Sequence, residues 1–279
     1  DLCDPDRLVT ALRRVLPERN LLIQHLGGDP FNAEQLTESM TEQARRLAPF
    51  LRDVGEVVYD LLSTGRRVLF ESAQGTLLDV LHGTYPYVTS SMTTAPAAFP
   101  LIGVGVPADR QVLGVVKAYT TRVGAGPFPT EDPGPIGQRL RDVGGEYGAT
   151  TGRPRRCGFL DIPALRYAIR VNGITGLAVT KLDVLSGLDE MPVCTGYRLG
   201  ADVLTRIHPE LFDDPALTPV YESWPGWQED VSSVRSLADL PHAARSYLDR
   251  LQEALAVPIV LVSTGSDRDA TIFVRDPWA

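Results

Sequence analysis

Only two of the 27 basic residues, Lys117 and Lys181, are lysines; the other 25 are arginines. Each lysine lies at or just after a short apolar run, Val112 to Tyr119 for the first and Gly176 to Thr180 for the second. Lys181-Leu182-Asp183 therefore follows what reads as a buried strand. The Asp183 carboxylate offers two acceptors, which match the N1–H and exocyclic N2–H donors of guanine. Adenine presents an acceptor at N1, so the same carboxylate reads one purine and rejects the other. The methylene stem of Lys181 would pack over the base plane. A surface ion pair at a strand end is the plainer alternative, and four residues do not separate the two. Ser263-Thr264-Gly265 follows a third apolar run, Val257 to Val262. It either completes a base pocket or simply turns the chain.

Three further segments hold groups of the same kind. Glu71-Ser72-Ala73-Gln74-Gly75-Thr76 has small residues that allow close backbone approach, and the Gln74 amide can both donate to and accept from a base edge; a solvated turn fits those residues as well. The segment His82 to Ser91 is dense in hydroxyls and free of Asp, Glu, Lys and Arg, a composition that can bind phosphate through hydroxyl and N–H donors. His82 itself is open between a structural and a chemical role. Gly148 to Arg156 carries the densest positive charge in the chain, with Arg153, Arg155 and Arg156 following Thr150-Thr151-Gly152. Guanidinium forks suit bidentate capture of carboxylate or phosphate, against the alternative of a solvated face. Arg122, in the glycine-marked stretch Lys117 to Glu131, is open between a site wall and solvent.

These groups need a frame, and composition supplies one. The chain has 279 residues, 43% hydrophobic and 22% charged, enough for a sizeable core and unlike a disordered or fibrous sequence. A net charge of −8 argues against a general nucleic-acid or anionic-membrane binder, so an anionic ligand must be caught locally. Three separated cysteines without a C-x-x-C suggest neither a disulfide framework nor a zinc site and fit a reducing cytoplasm. The longest uncharged stretch, Val80 to Ala108, is broken by four prolines and reads as loop rather than membrane span. Helical spacing is expected over residues 4 to 17 and from about Ala33 to Leu62, with interruptions near Pro49 and Gly55. Strands are expected at Val68 to Glu71 and at the three runs named above, and helices at Pro163 to Val171 and Leu240 to Ala256. That alternation is α/β, so ligands should gather at loops beyond the carboxyl ends of the strands. A single domain over 1–279 is expected, largely helical over 1–65 and sheet-rich over 66–279.

Taken in order, the segments resemble adenylosuccinate synthetase, the GTP-dependent ligase of purine biosynthesis. The resemblance runs from near Asp1 to Ala279 and is most specific over Phe70 to Ser91, Lys117 to Glu131, Gly145 to Asp161, Thr180 to Glu190 and Ser263 to Pro277. It implies a large, mostly parallel central sheet flanked by helices, P-loop-NTPase-like, and a reaction that joins aspartate to IMP with GTP. It places Gln74, Thr89 and Arg153 at IMP. Ala149, Thr150, Thr151, Gly152, Arg153, Pro154 and Arg155 would form the loop that holds L-aspartate, with Arg155 reaching towards GTP. Lys181, Leu182, Asp183, Ser263, Thr264 and Gly265 would form the guanine pocket. Mg2+ and a cytoplasmic homodimer are implied too.

The departures are informative. Members of the family open with a glycine-rich G-D-E-G-K-G-K loop, whose Asp is the catalytic base, and carry a later histidine that acts as acid; neither occurs in this sequence. The expectation is a carboxyl-terminal two-thirds of a family member, with catalytic groups, metal ligands and N-terminal strands upstream, and no activity on its own. A truncated purine-nucleotide binder and one half of a split enzyme are the alternatives. Ser72, Met92, Pro96 and Ser266 replace residues usual in the family and are where altered specificity would be sought.

Overall fold

The computed structural model describes residues 3–148 and 152–277, and they fall into two compact units, 1–68 and 69–279. The first is helical because its capping residues stand where helices must begin. Asp4 accepts from the N–H groups of Asp6 and Arg7 at the start of α1 (Pro5–His25), Asn32 caps α2 (Ala33–Leu47), and Asp53 caps α3 (Val54–Ser63). The expected break near Pro49 is a single 3₁₀ turn, Ala48–Phe50. Helix α1 does not stop at residue 17: it passes through Pro17 and continues to His25. Proline removes one helical hydrogen bond, and the turns beyond are anchored by Asn20, whose amide both donates to and accepts from the Phe31 backbone at 2.8 and 2.9 Å.

The second unit holds α4 (Ala98–Ile102), β1 (Leu113–Lys117), β2 (Thr120–Arg122), α5 (Pro135–Gly144), β3 (Arg156–Gly158), β4 (Leu160–Asp161), α6 (Ile162–Asn172), β5 (Gly176–Thr180), β6 (Leu188–Leu199), β7 (Asp202–Leu204), β8 (Thr218–Trp227), α7 (His242–Leu255), β9 (Ile259–Ser263) and β10 (Thr271–Phe273). Its central sheet has the order β1-β5-β9-β10. The first three strands are parallel and β10 closes antiparallel on β9. Leu177, Val179 and Val262 are buried in one core with Leu140 of α5 and Tyr247 and Leu251 of α7. This is the α/β alternation expected from the apolar runs.

Two findings differ from the sequence pattern. Val68 to Glu71 is not a strand; among the described residues no neighbour completes its backbone hydrogen bonds, and an apolar run becomes a strand only where a partner does. Conversely, β6 and β8 form a long antiparallel pair with β4 and β7 beside β6, unanticipated because prolines interrupt it and a register shift lies between Cys194 and Gly196. Met191 and Val193 face the main core, whereas Cys194 and Tyr197 join Ile207, Phe212 and Leu217 in a second cluster. The alternation of period two is lost where the strand changes faces. Trp224 and Trp227 of β8 meet Tyr247 of α7 edge-on, joining this sheet to the helix that covers the first.

Candidate functional site

Parallel pairing brings three of the segments into one row. Lys117 pairs with Thr180 and Val179 with Val262, so the chain leaves β1, β5 and β9 at the same edge. Lys181 is the first residue beyond β5 and is left-handed, φ 64°. A residue with a Cβ pays about 1–2 kcal/mol for that conformation, and here it turns the chain abruptly into the 3₁₀ turn Leu182–Leu185. Leu182 is buried in the core, so only its backbone is available to a ligand. Asp183 is half-buried and its Oδ1 is enclosed without a hydrogen-bond donor. Burial pushes its carboxyl above the ordinary carboxylate range.

Across the row, the Ser263 hydroxyl donates to the Gly265 carbonyl at 2.8 Å. Thr264 is fully buried, and its hydroxyl donates to the Val234 carbonyl at 3.0 Å. Thr264 thus holds the 230–235 loop against β9, and its side chain is not open to solvent.

Behind the row sits a carboxylate that the sequence did not single out. Glu146 is 1% exposed. The Lys117 ammonium donates to both its oxygens at 2.7 Å, the Tyr119 hydroxyl to one at 2.6 Å, and Arg155 Nη1 to the other at 2.7 Å. Burial alone would raise its pKa, but the donors Lys117, Tyr119 and Arg155 hold it below the usual range. Lys181 Nζ donates to the carbonyl of Gly144, two residues earlier, at 2.8 Å. A Cβ on Gly144 would lie 2.3 Å from the Tyr119 hydroxyl, so the chain passes there only as glycine. Both lysines are therefore fastened to the short segment that ends α5.

The loops around Gln74 and Thr89 are held differently. Asp79 is fully buried and accepts from the backbone N–H groups of Leu81, His82, Thr93 and Thr94. Desolvation alone would raise its pKa; the four N–H groups hold it below the ordinary value of 3.8. The Thr89 N–H donates to the Leu78 carbonyl at 2.8 Å, and the Thr93 hydroxyl to that of Gly75 at 2.9 Å. Gln74 is exposed and left-handed, φ 63°. His82 uses its backbone carbonyl to receive the Tyr167 hydroxyl at 2.9 Å. Arg122 is neither solvated nor open to a ligand: it is buried and donates to the Thr84 hydroxyl and to the Tyr87 and Ala125 carbonyls. It fastens the hydroxyl-rich loop to β2, which pairs with β3, whose first residue is Arg156 of the arginine cluster.

A sequence model of the adenylosuccinate synthetase family matches residues 1–272. The chain belongs to the adenylosuccinate synthetase family. It is 48% identical over 280 residues to the adenylosuccinate synthetase of Desulfatibacillum aliphaticivorans and 47% identical over 281 residues to that of Pelobacter propionicus (strain DSM 2379 / NBRC 103807 / OttBd1), covering 100% of this chain and 65% of each relative. In structure it is similar to fully ligated adenylosuccinate synthetase from Plasmodium falciparum, with a TM-score of 0.90 and 35% identity over 98% of this chain and 65% of that one. The chain thus spans 65% of the length of the relatives it matches.

Within this adenylosuccinate synthetase frame, the residues that flank the segment expected to hold aspartate pair with each other. The Arg155 N–H donates to the Glu146 carbonyl, Tyr147 bridges to Pro154, and the Gly148 N–H donates to the Arg153 carbonyl. Gly152 is left-handed, φ 63°, and its N–H donates to the Gly148 carbonyl. Ala149, Thr150 and Thr151 lie outside the described residues. Arg153 is exposed beside them. The arginine cluster looks uncompensated in sequence, yet Arg155 pairs with Glu146 and Arg156 with Glu131. Those acids come from nine and 25 residues upstream. The signal that marks Glu146 is indirect: it is an acid between a glycine pair and the threonine-rich loop, in a stretch that resembles the family throughout.

Proposed function

We propose that this chain carries the guanine-nucleotide, IMP and aspartate contacts of an adenylosuccinate synthetase, the ligase that joins the aspartate amino group to carbon 6 of IMP. GTP phosphorylates the purine oxygen in that reaction, and adenylosuccinate, GDP and phosphate leave. The observation that carries the reading is the donorless, enclosed Oδ1 of Asp183 at the end of β5, next to Lys181 and across from the turn after β9. Asp183 receives the two guanine donors, Lys181 covers the base, and Ser263 and Gly265 close the pocket. Gln74, Thr89 and Arg153 orient IMP. The segment from Ala149 to Arg155 receives aspartate, with the guanidinium groups of Arg153 and Arg155 suited to its carboxylates.

The part assigned to these residues is binding and orientation. The acid and base of the family reaction are assigned to the portion of the relatives' length that this chain does not span. Mg2+ supplies charge neutralisation on the transferring phosphoryl group in chemistry of this kind. Among the described residues no group of three or more His, Cys, Asp or Glu side chains could hold a metal ion, so no step is assigned to one here. We also propose a homodimer in the cytoplasm. Free Cys3, Cys157 and Cys194 support a reducing compartment, and no described helix is long and apolar enough to cross a membrane.

The test is turnover with IMP, GTP and aspartate. Protein made from the complete reading frame that contains this chain should form adenylosuccinate with GTP and not with ATP, and the chain by itself should form none. A folded protein from the complete frame without activity, or one using ATP as readily, contradicts the reading.

A further inference from the structure

Both lysines of the chain end on the segment Gly144 to Glu146, a coincidence that the guanine-pocket reading does not use. Lys181 donates to the Gly144 carbonyl, and Lys117 reaches both oxygens of Glu146. Arg155 shares that carboxylate, and its own Nε is enclosed without an acceptor. The Arg155 side chain is 31% exposed, so a guanidinium fixed on one side by Glu146 is open on another to an anionic partner. The compact Lys117 ammonium reaches both oxygens of Glu146 beside the Tyr119 hydroxyl and Arg155.

We propose that Glu146 is a positioning residue: its buried carboxylate fixes the Arg155 guanidinium at the edge of the guanine pocket, so that Arg155 meets the phosphate-bearing end of the nucleotide while Asp183 reads the base. This rests on the guanine reading above for its ligand, but not for the hold on Arg155, which exists without ligand. Glu146 itself touches no nucleotide. Its removal should therefore weaken a ligand that has phosphates and spare one that lacks them.

The experiment compares the chain with its Glu146→Gln and Glu146→Asp variants in two measurements. In the first, GTP and guanosine are titrated by calorimetry. Glu146→Gln should weaken GTP by about tenfold or more, the loss expected when a charge-assisted contact is misplaced, and leave guanosine within about twofold; Glu146→Asp, which keeps the charge on a shorter arm, should fall between. In the second, amide hydrogen exchange is followed without ligand. The N–H groups of Gly148 and Arg155, which pair the flanking residues, should exchange faster in Glu146→Gln, with those of Gly176–Thr180 unchanged. Equal weakening of GTP and guanosine, no weakening of either, or GTP bound no tighter than guanosine by the unaltered chain each overturns the proposal. So does unchanged exchange at Gly148 and Arg155, or faster exchange throughout the sheet. If the unaltered chain binds neither ligand but exchange at Gly148 and Arg155 rises as expected, the guanine reading falls and the hold of Glu146 on Arg155 stands.

Discussion

The ends of β1, β5 and β9 and the loops around Asp79 both hold residues proposed to meet a ligand, but they are supported in opposite ways. At the strand ends, parallel ladders set the spacing, and many backbone hydrogen bonds share the load. In the loops from Ser72 to Thr94 no strand is present, and one buried carboxylate gathers N–H groups from residues 81, 82, 93 and 94. Support that is spread tolerates the loss of one residue; support that converges on one residue does not. A third carboxylate sharpens the contrast. Asp161, which caps α6, is buried with only the Tyr197 hydroxyl and the Ala164 N–H as donors. Burial outweighs them and pushes its carboxyl up to about 6, whereas four donors pull Asp79 down. The balance between depth of burial and the number of donors sets the sign.

The largest effect is expected at the convergent latch. Asp79→Ala leaves four backbone donors without their acceptor, and unfolding in urea should show a loss of about 3 kcal/mol or more. Protease cutting should concentrate between residues 80 and 94. Because the folded pKa of Asp79 lies below its unfolded value, its contribution is full above the ordinary value of 3.8 and lost as pH falls through the lower folded value. A loss under about 1 kcal/mol would show that the loops have other support.

At the strand ends a conservative exchange should cost less. Lys117→Arg inserts a planar group where a compact ammonium contacts both oxygens of Glu146, and a loss of about 1–3 kcal/mol is expected in the same urea measurement. No loss would mean that the cage has room and that the lysine is not required by shape.

Asp161 gives an opposite pH signature to Asp79. The native state keeps its proton to about pH 6 while the unfolded chain releases it near 3.8, so stability should fall as pH rises across that window. Asp161→Asn, which can still cap the helix, should flatten the fall and stay within about 1 kcal/mol of the parent at low pH. An unchanged slope would assign the titration to another group.

The smallest change in stability is expected at Lys181→Gly. Glycine relieves the left-handed backbone by about 1 kcal/mol but gives up the hydrogen bond to Gly144, so the net should lie near zero. Guanine-nucleotide affinity should nevertheless fall, since the cover over the base is gone. Unchanged affinity would remove Lys181 from the pocket.

The same contrast explains what the sequence disclosed. Gly176 to Thr180 and Val257 to Val262 were legible as strands because continuous apolar runs follow from burial on both faces, and Val112 to Tyr119 because it has the same composition, although β1 is an edge strand with Val115 exposed. Their shared edge then placed Lys181, Asp183 and Ser263 together. Asp79 was invisible, since an aspartate in a loop-rich stretch shows nothing of the four N–H groups that fold back upon it. Glu146 was invisible for a related reason: its partners lie nine and 29 residues away in sequence. The pair β6 and β8 escaped because the strand changes faces at its register shift. Pattern reports which residues face a core, but not which polar group a distant backbone will find.

The central claim is that Asp183 reads guanine, and the most direct test is discrimination between GTP and ITP, which lacks only the exocyclic amino group. Titrated into the chain, GTP should bind at least about tenfold tighter than ITP, the worth of one hydrogen bond to a charged acceptor. In Asp183→Ala that preference should vanish. Equal affinities in the unaltered chain, or a preference for GTP that survives Asp183→Ala, would contradict the account.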